Sequence, residues 1–252
     1  MTRAFGIGLL SLAAGCSDQS FSFGDHPDLY WWTDHESGDV SDWTGKDDPG
    51  GFILPGQSRV EVVKDVSRSG AYSLLVEDLR PDVRDYPLAA RNGPMPLEVY
   101  CSAWYYIPEA IHPKTYAWFM LFRSRHAPFG TQDFRDEIRL SLTTRPDGTM
   151  GSVLLSEELG TVQPLVDREI PVGRWFHIEA FLHTATDGAG EFSAWQDGEL
   201  TFHAKGRTTE TTYTEWMIGI VSDGFTGGSK LYIDDAAVSR RRLGPLPPFT
   251  RE

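Results

Sequence analysis

The chain has 252 residues, 23 of them Lys or Arg against 36 Asp or Glu, for a net charge of −13 at pH 7. That acidic balance argues against nonspecific nucleic-acid binding, which runs on a surplus of basic residues. The length suits one all-β domain, and net charge by itself carries no information about fold.

The N-terminus opens with the positive stretch Met1-Thr2-Arg3, followed by the apolar run Ala4–Ala14, which is too short to span a bilayer as a helix. It ends in Leu12-Ala13-Ala14-Gly15-Cys16. Small residues ahead of a cleavage point mark a signal peptide. A Cys at that point resembles a bacterial lipobox, in which the thiol is acylated and becomes the new N-terminus. Residues 1–15 are therefore expected to be a lipoprotein signal peptide, and 16–29 a polar tether beginning Ser17-Asp18-Gln19-Ser20. No later stretch is apolar for long enough to cross a membrane as a helix. The expected placement is exported and held at a membrane through a lipid on Cys16, with the outer membrane or cell surface favoured. Lipidation of Cys16 leaves Cys101 alone, a small hydrophobe in an apolar strand pattern, so no intrachain disulfide forms.

From residue 30 onward, short alternating runs are bounded by Gly, Pro, Asn and Asp, and no long helical period appears. The spacing predicts strands over Tyr30–Thr33, Arg59–Val63, Ser73–Glu77, Val99–Ile107, Ala117–Arg125, Glu137–Thr143, Gly151–Leu155, Trp175–His183, Phe192–Gln196, Glu199–Ala204, Glu215–Val221 and Lys230–Ser239. Turn signals such as Arg145-Pro146-Asp147-Gly148 and Asp197-Gly198 separate several of them. The expected fold class is all-β, an antiparallel two-sheet jelly-roll sandwich over residues 30–240. Pro245, Pro247 and Pro248 mark 241–252 as an extended C-terminal tail.

Because side chains alternate along a strand, faces can be read from the sequence. In Trp175–His183, Phe176, Ile178, Ala180 and Leu182 point to the core, and His177, Glu179 and His183 away from it. In Glu137–Thr143, Ile138, Leu140 and Leu142 oppose Glu137, Arg139 and Ser141. In Ala117–Arg125, Trp118, Met120 and Phe122 form one face, with Phe119, Leu121, Arg123 and Arg125 on the other. Trp195 shares a face with Glu191 and Ser193. Several strands thus pair an apolar face with one of Arg, Glu, His and Trp. Arginine forks suit carboxylate or sulfate groups, and aromatic rings suit the apolar face of a sugar.

The segments Glu36–Trp43, Ser69-Gly70-Ala71-Tyr72-Ser73-Leu74, Gly173–Glu179, Trp195-Gln196-Asp197-Gly198 and Leu231-Tyr232-Ile233-Asp234-Asp235 carry a resemblance. Together they resemble the concanavalin A-like lectin/glucanase superfamily, nearest to polysaccharide-lyase-like proteins of the heparin lyase I and glucuronan lyase type. The resemblance implies a jelly roll whose concave face binds glycan. On that face it places the glycan-binding candidates Arg123, Arg125, Glu137, Arg139, His177, Glu179 and Trp195. For a lyase, His177 or a tyrosine among Tyr100, Tyr105 and Tyr106 is the candidate base, and Arg139 or Arg123 the group that neutralises a uronate carboxylate. The Gln-x-His and Lys-x-Gly-x-Tyr strands of alginate-lyase-like enzymes, and the Glu-x-Asp-x-x-Glu strand of glucanases, are absent from the sequence. Glu36, Asp39 and Asp235 are candidate ligands of a structural Ca²⁺, and no other cofactor is expected. The leading expectation is a surface-anchored protein that binds an anionic polysaccharide. The alternatives are a β-eliminating polysaccharide lyase acting on a uronate-containing glycan, and a structural envelope lipoprotein without ligand.

Overall fold

The structure, a computed structural model, describes residues 27–45, 50–80, 85–112, 118–125, 137–208, 213–221 and 229–245. In chain order its elements are β1 (Leu29–Thr33), the single-turn helix α1 (Ser41–Thr44), β2 (Gly50–Leu54), β3 (Arg59–Val63), β4 (Ser73–Asp78) and β5 (Leu88–Pro94). There follow β6 (Glu98–Tyr106), β7 (Trp118–Arg125), β8 (Ile138–Thr144), β9 (Met150–Ser156) and β10 (Gly160–Val162). The last are β11 (Trp175–His183), β12 (Glu191–Gln196), β13 (Glu199–Lys205), β14 (Tyr213–Val221) and β15 (Ser229–Ser239). The signal peptide, Cys16 and most of the tether lie outside the described residues.

The strands form two antiparallel sheets. The larger, eight-stranded sheet runs β13-β12-β11-β6-β15-β4-β3, with β1 also paired to β15. The smaller, seven-stranded sheet runs β10-β9-β8-β7-β14-β5-β2. This is the expected jelly-roll sandwich, with early and late strands interleaved in both sheets. The inward residues of each sheet make one core. Tyr105, Phe176, Ile178, Phe192, Ile233 and Val238 come from the larger sheet, and Phe119, Leu121, Phe122, Ile138, Leu140 and Trp216 from the smaller. At one end Trp31, Trp43 and Trp216 pack with ring centroids 4.7 to 6.1 Å apart. The buried Arg91 lies over Trp31 and donates to the carbonyl of Trp43.

Strands β2, β5 and β10 were not expected from the sequence. β5 reads Leu-Ala-Ala-Arg-Asn-Gly-Pro, poor in the β-branched residues that signal a strand, and it forms because β14 and β2 pair with it on both sides. β2 opens on two glycines, and β10 is a three-residue edge strand. Of the expected extended tail, 241–252, only residues 241–245 are described. Arg240 donates its backbone N–H to Asp28, and residues 241–245 pack back onto the larger sheet. Burial pushes the Cys101 thiol up, which fits a core hydrophobe rather than a nucleophile. Among the described residues, no helix is long and apolar enough to cross a membrane.

Candidate functional site

The candidate residues divide between the two sheets. Arg123 and Arg125 lie on β7, Arg139 on β8 and Glu137 just before β8, all in the smaller sheet. His177 and Glu179 lie on β11 and Trp195 on β12, in the larger sheet. Both sets point away from the shared core, so they occupy opposite sides of the sandwich. The expectation of a single groove holding Arg123, Arg139, His177, Glu179 and Trp195 is therefore corrected. Alternation tells which residues avoid the core, but not which sheet a strand joins.

On the smaller sheet, Arg123 stands opposite Arg139 on one side and Met217 on the other, and Arg125 stands opposite Glu215. The carboxylate of Glu137 bridges the arginines, its Oε2 2.7 Å from Arg123 Nη2 and its Oε1 2.7 Å from Arg139 Nε. Arg123, Arg125, Glu137 and Glu215 are all buried, whereas Arg139 keeps part of its side chain exposed. Burial draws the Arg139 guanidinium down from its ordinary value, while Glu137 pulls it back. Among these side chains three guanidiniums face two carboxylates, and Glu157 acts on Arg139 as a third. The half of the face towards β5 and β2 is apolar, built from Leu88, Ala90, Met120, Met217 and Val221, with Phe52, Leu54 and Tyr86 packed against them. Leu88, Ala90, Met120, Met217 and Val221 are closed off from solvent, and the part of the cluster open to a ligand is Arg139, whose guanidinium fork suits a carboxylate.

A bulge in β7 places Arg123 on this face. Met120 pairs with Ser141 and Phe122 with Leu140, so one extra residue, Leu121, is inserted. Leu121 and Phe122 consequently both enter the core, while Met120 and Arg123 both point outward. The alternation expected for Ala117–Arg125 fails at that point, and the arginines fall on the opposite face from Phe119 and Leu121. Tyr105, one of the expected catalytic tyrosines, is corrected as well. It is 1% exposed in the core, where its hydroxyl donates to the Leu121 carbonyl at 2.5 Å. Burial holds its phenol well above the ordinary value, so it is no base.

On the larger sheet, the side chains expected to bind glycan are engaged with protein. Glu179 is fully buried, accepting the backbone N–H of Leu243 at 2.6 Å and of Gly244 at 3.2 Å, with Arg242 Nε 3.2 Å away. Burial raises its carboxyl above the usual range, against the pull of those donors. Arg242 also stacks over Trp195, 4.6 Å from the ring centroid, and leaves that ring half-buried. His177 is 2% exposed, and its backbone N–H donates to Asp197. Its imidazole lies 5.2 Å from the Trp104 ring, and Nδ1 has no partner among the described residues. Burial, then the nearby Arg68 and Arg242, push the imidazole down to about 3. His177 is thus a neutral interior side chain, and Glu179 anchors the C-terminal segment.

Each of the three carboxylates expected to hold calcium contacts protein donors in this structure. Glu36 accepts the amides of Ala71 and Tyr72, next to Gly70, where any Cβ would collide with that carboxylate. Asp39 accepts the Ser41 amide at the surface. Asp235, in the left-handed region at φ 45° in a β15 bulge, pairs with Arg68 and accepts from Ser69 Oγ. No group of three or more His, Cys, Asp or Glu suited to a metal occurs among the described residues. Asp234 instead closes a buried lock. Trp43 Nε1 donates to His35 Nε2 at 3.0 Å, which leaves the His35 proton on Nδ1, 3.5 Å from Asp234 Oδ1. Asp234 Oδ2 accepts the Arg68 amide at 2.9 Å. The Asp234-Asp235 pair was legible as a motif, but its partners were not.

A family model described as polysaccharide lyase matches residues 35–237. No curated protein matches. Among solved structures, the chain is similar to the endo-β-1,4-glucuronan lyase of the fungus Trichoderma reesei, at 14% identity and a TM-score of 0.53, over 75% of this chain and 90% of that one. It is similar to a variant of the alginate lyase Aly36B solved with an alginate trisaccharide, at 11% identity and a TM-score of 0.59, over 84% and 98% of the chains. It is also similar to the cellulose-induced protein Cip1, at 17% identity and a TM-score of 0.56, over 84% and 98%. At these identities the likeness shows the fold, a concanavalin A-like jelly roll.

Proposed function

The chain belongs to the polysaccharide lyase family, and we propose that it acts on an acidic polysaccharide laid across the outward face of the smaller sheet. The observation that carries this reading is the Arg123–Glu137–Arg139 cluster. In a β-elimination, a base removes the proton beside a uronate carboxylate. The C–H electrons form the new double bond, and the C–O bond to the leaving sugar breaks as its oxygen gains a proton. Negative charge grows on the carboxylate as the proton departs, and cationic donors held in place stabilise it. Arg139, the more exposed of the pair, is the donor offered to the substrate. Glu137 orients both forks, and Arg123 adds charge from below.

A second reading, glycan binding without cleavage, draws on a different observation. Among the outward positions of β7, β8, β9 and residues 215–221 of β14 whose side chains are described, Arg, Ser, Thr, Gly, Val, Leu, Met and Glu occur and His, Lys and Tyr do not. One experiment separates the two readings. Alginate and glucuronan are incubated with the wild type and with Arg139→Ala, and both retention on the polymer and ultraviolet-absorbing unsaturated product are followed. Product from the wild type and none from Arg139→Ala supports the lyase. Salt-sensitive retention without product supports the binder. Neither response removes both.

The proposal includes placement: export, and a lipid anchor on Cys16 that holds the domain at the outer membrane or cell surface. Its support is the N-terminal sequence alone. Cys16→Ser should move the protein out of the membrane fraction or leave it as precursor, and an unacylated, soluble wild type would remove the anchor from the proposal.

A further inference from the structure

On the outward face of the larger sheet, across the sandwich from the arginine cluster, three aromatic rings share one register row. Trp175 of β11 stands opposite Tyr106 of β6, and Tyr106 opposite Tyr232 of β15. Their ring centroids are 5.5 and 6.0 Å apart. The core does not require them, because Tyr105, Phe176, Leu231 and Ile233 from the same strands fill it. Trp175 and Tyr106 remain half-buried. Tyr232 continues into a cavity of about 380 Å³, whose other walls are Pro108, Glu109, Ile111 and Lys230. That volume lies within the range of roughly 300–1,000 Å³ typical of small-molecule sites.

We infer that this aromatic row and the adjoining cavity form a second saccharide site, which takes a neutral glycan. A sugar ring offers an apolar C–H face and a rim of hydroxyls. The row supplies flat apolar surfaces, and the cavity supplies a carboxylate, an ammonium and a phenol to meet the rim. Neighbouring strands lie about 4.8 Å apart, close to the advance of one sugar unit in an extended chain, so successive rings can meet successive sugars. Charge selects against uronates. Lys230 is tied to Glu77 at 3.0 Å, and Arg59 is tied to Glu77 and Glu61. Glu109 adds a further carboxylate at the rim, and Asp65 acts on the Tyr232 phenol. The two faces of the sandwich thus differ in the glycan they admit, and the site does not depend on cleavage at the arginine face.

The test is calorimetric titration of the full chain with cellohexaose, a neutral oligosaccharide, with an alginate hexamer as acidic competitor, at low and high salt. The expected result is cellohexaose binding that salt leaves unchanged and the alginate hexamer does not displace. Trp175→Ala should weaken it about tenfold at an unchanged melting temperature. Glu61→Lys, exposed on β3 in the register row of Tyr232 but outside the cavity wall, should keep cellohexaose binding and let the alginate hexamer compete. The inference is overturned if the wild type gives no heat with cellohexaose. It is equally overturned if folded Trp175→Ala binds as tightly as wild type, or if the alginate hexamer displaces cellohexaose from the unaltered protein. Cellohexaose binding in Glu61→Lys with no competition removes charge selection. Failure of the lyase reading, by contrast, shows only as missing product from uronate polymers.

Discussion

The Tyr105 hydroxyl of the larger sheet donates to the Leu121 carbonyl of the smaller sheet at 2.5 Å, at the residue that the β7 bulge inserts. A bulged residue loses its ladder partner, and this hydroxyl gives its carbonyl a donor inside the core. Two residues further on, Arg123 faces outward because the bulge is there. Tyr105 is thus a positioning residue for the arginine cluster, acting from beneath the sheet that carries it.

Tyr105→Phe keeps the ring but leaves the Leu121 carbonyl buried without its donor, which costs about 1–3 kcal/mol. Chemical denaturation should show that loss. Acidic-glycan binding by the folded variant should also weaken, through a looser Arg123. Full stability together with full binding would mean that the bulge holds without the hydroxyl.

Glu137 should matter more to stability than either arginine it bridges. Glu137→Ala strands two guanidiniums, one of them, Arg123, 4% exposed, and breaking a buried pair in this way costs about 3–5 kcal/mol. Arg139 keeps part of its side chain in solvent, so Arg139→Ala should cost less while removing more of the acidic-glycan affinity. Denaturation midpoints and binding isotherms of the two variants check this ordering, and a reversed order would contradict it.

His177 should make the fold acid-sensitive. Its imidazole is pushed from 6.5 to about 3 by burial in the folded protein, whereas the unfolded chain regains the ordinary value. Below pH 6.5 the unfolded state binds a proton that the folded state refuses. The contribution is therefore present above pH 6.5 and is lost as pH falls towards 3. The slope from this one group reaches at most about 1.4 kcal/mol per pH unit. His177→Gln should flatten the stability profile between those two values relative to wild type. Identical profiles would place His177 in contact with solvent.

The C-terminal segment should come loose when its anchor is cut. Glu179→Ala removes the acceptor of the Leu243 and Gly244 amides and the partner of Arg242. Brief trypsin treatment should then cleave after Arg240, Arg241 or Arg242 well before the wild type is cut there, because proteolysis follows local opening. Equal cleavage rates would show that the segment is held by other contacts.

The sequence by itself determined the fold class and most of its strands, because a side-chain period of two and Gly- or Asp-centred turns are local signals. It also marked Phe176, Ile178, Ile138 and Leu140 as core, since strands without irregularities keep their alternation. Glu137 and Arg139 were legible as candidate anion-site residues for the same reason. Only the tertiary structure decided that His177, Glu179 and Trp195 lie on the other sheet, because strand pairing between distant segments sets sheet membership and leaves no local trace. It likewise decided which way Arg123 points. The inserted Leu121 shifts the alternation of β7 by one residue, and that bulge is stabilised by a hydroxyl sixteen residues earlier in the chain. The same holds for the lock of Trp43, His35 and Asp234, where residues from the two ends of the domain meet in the interior because β1 pairs with β15.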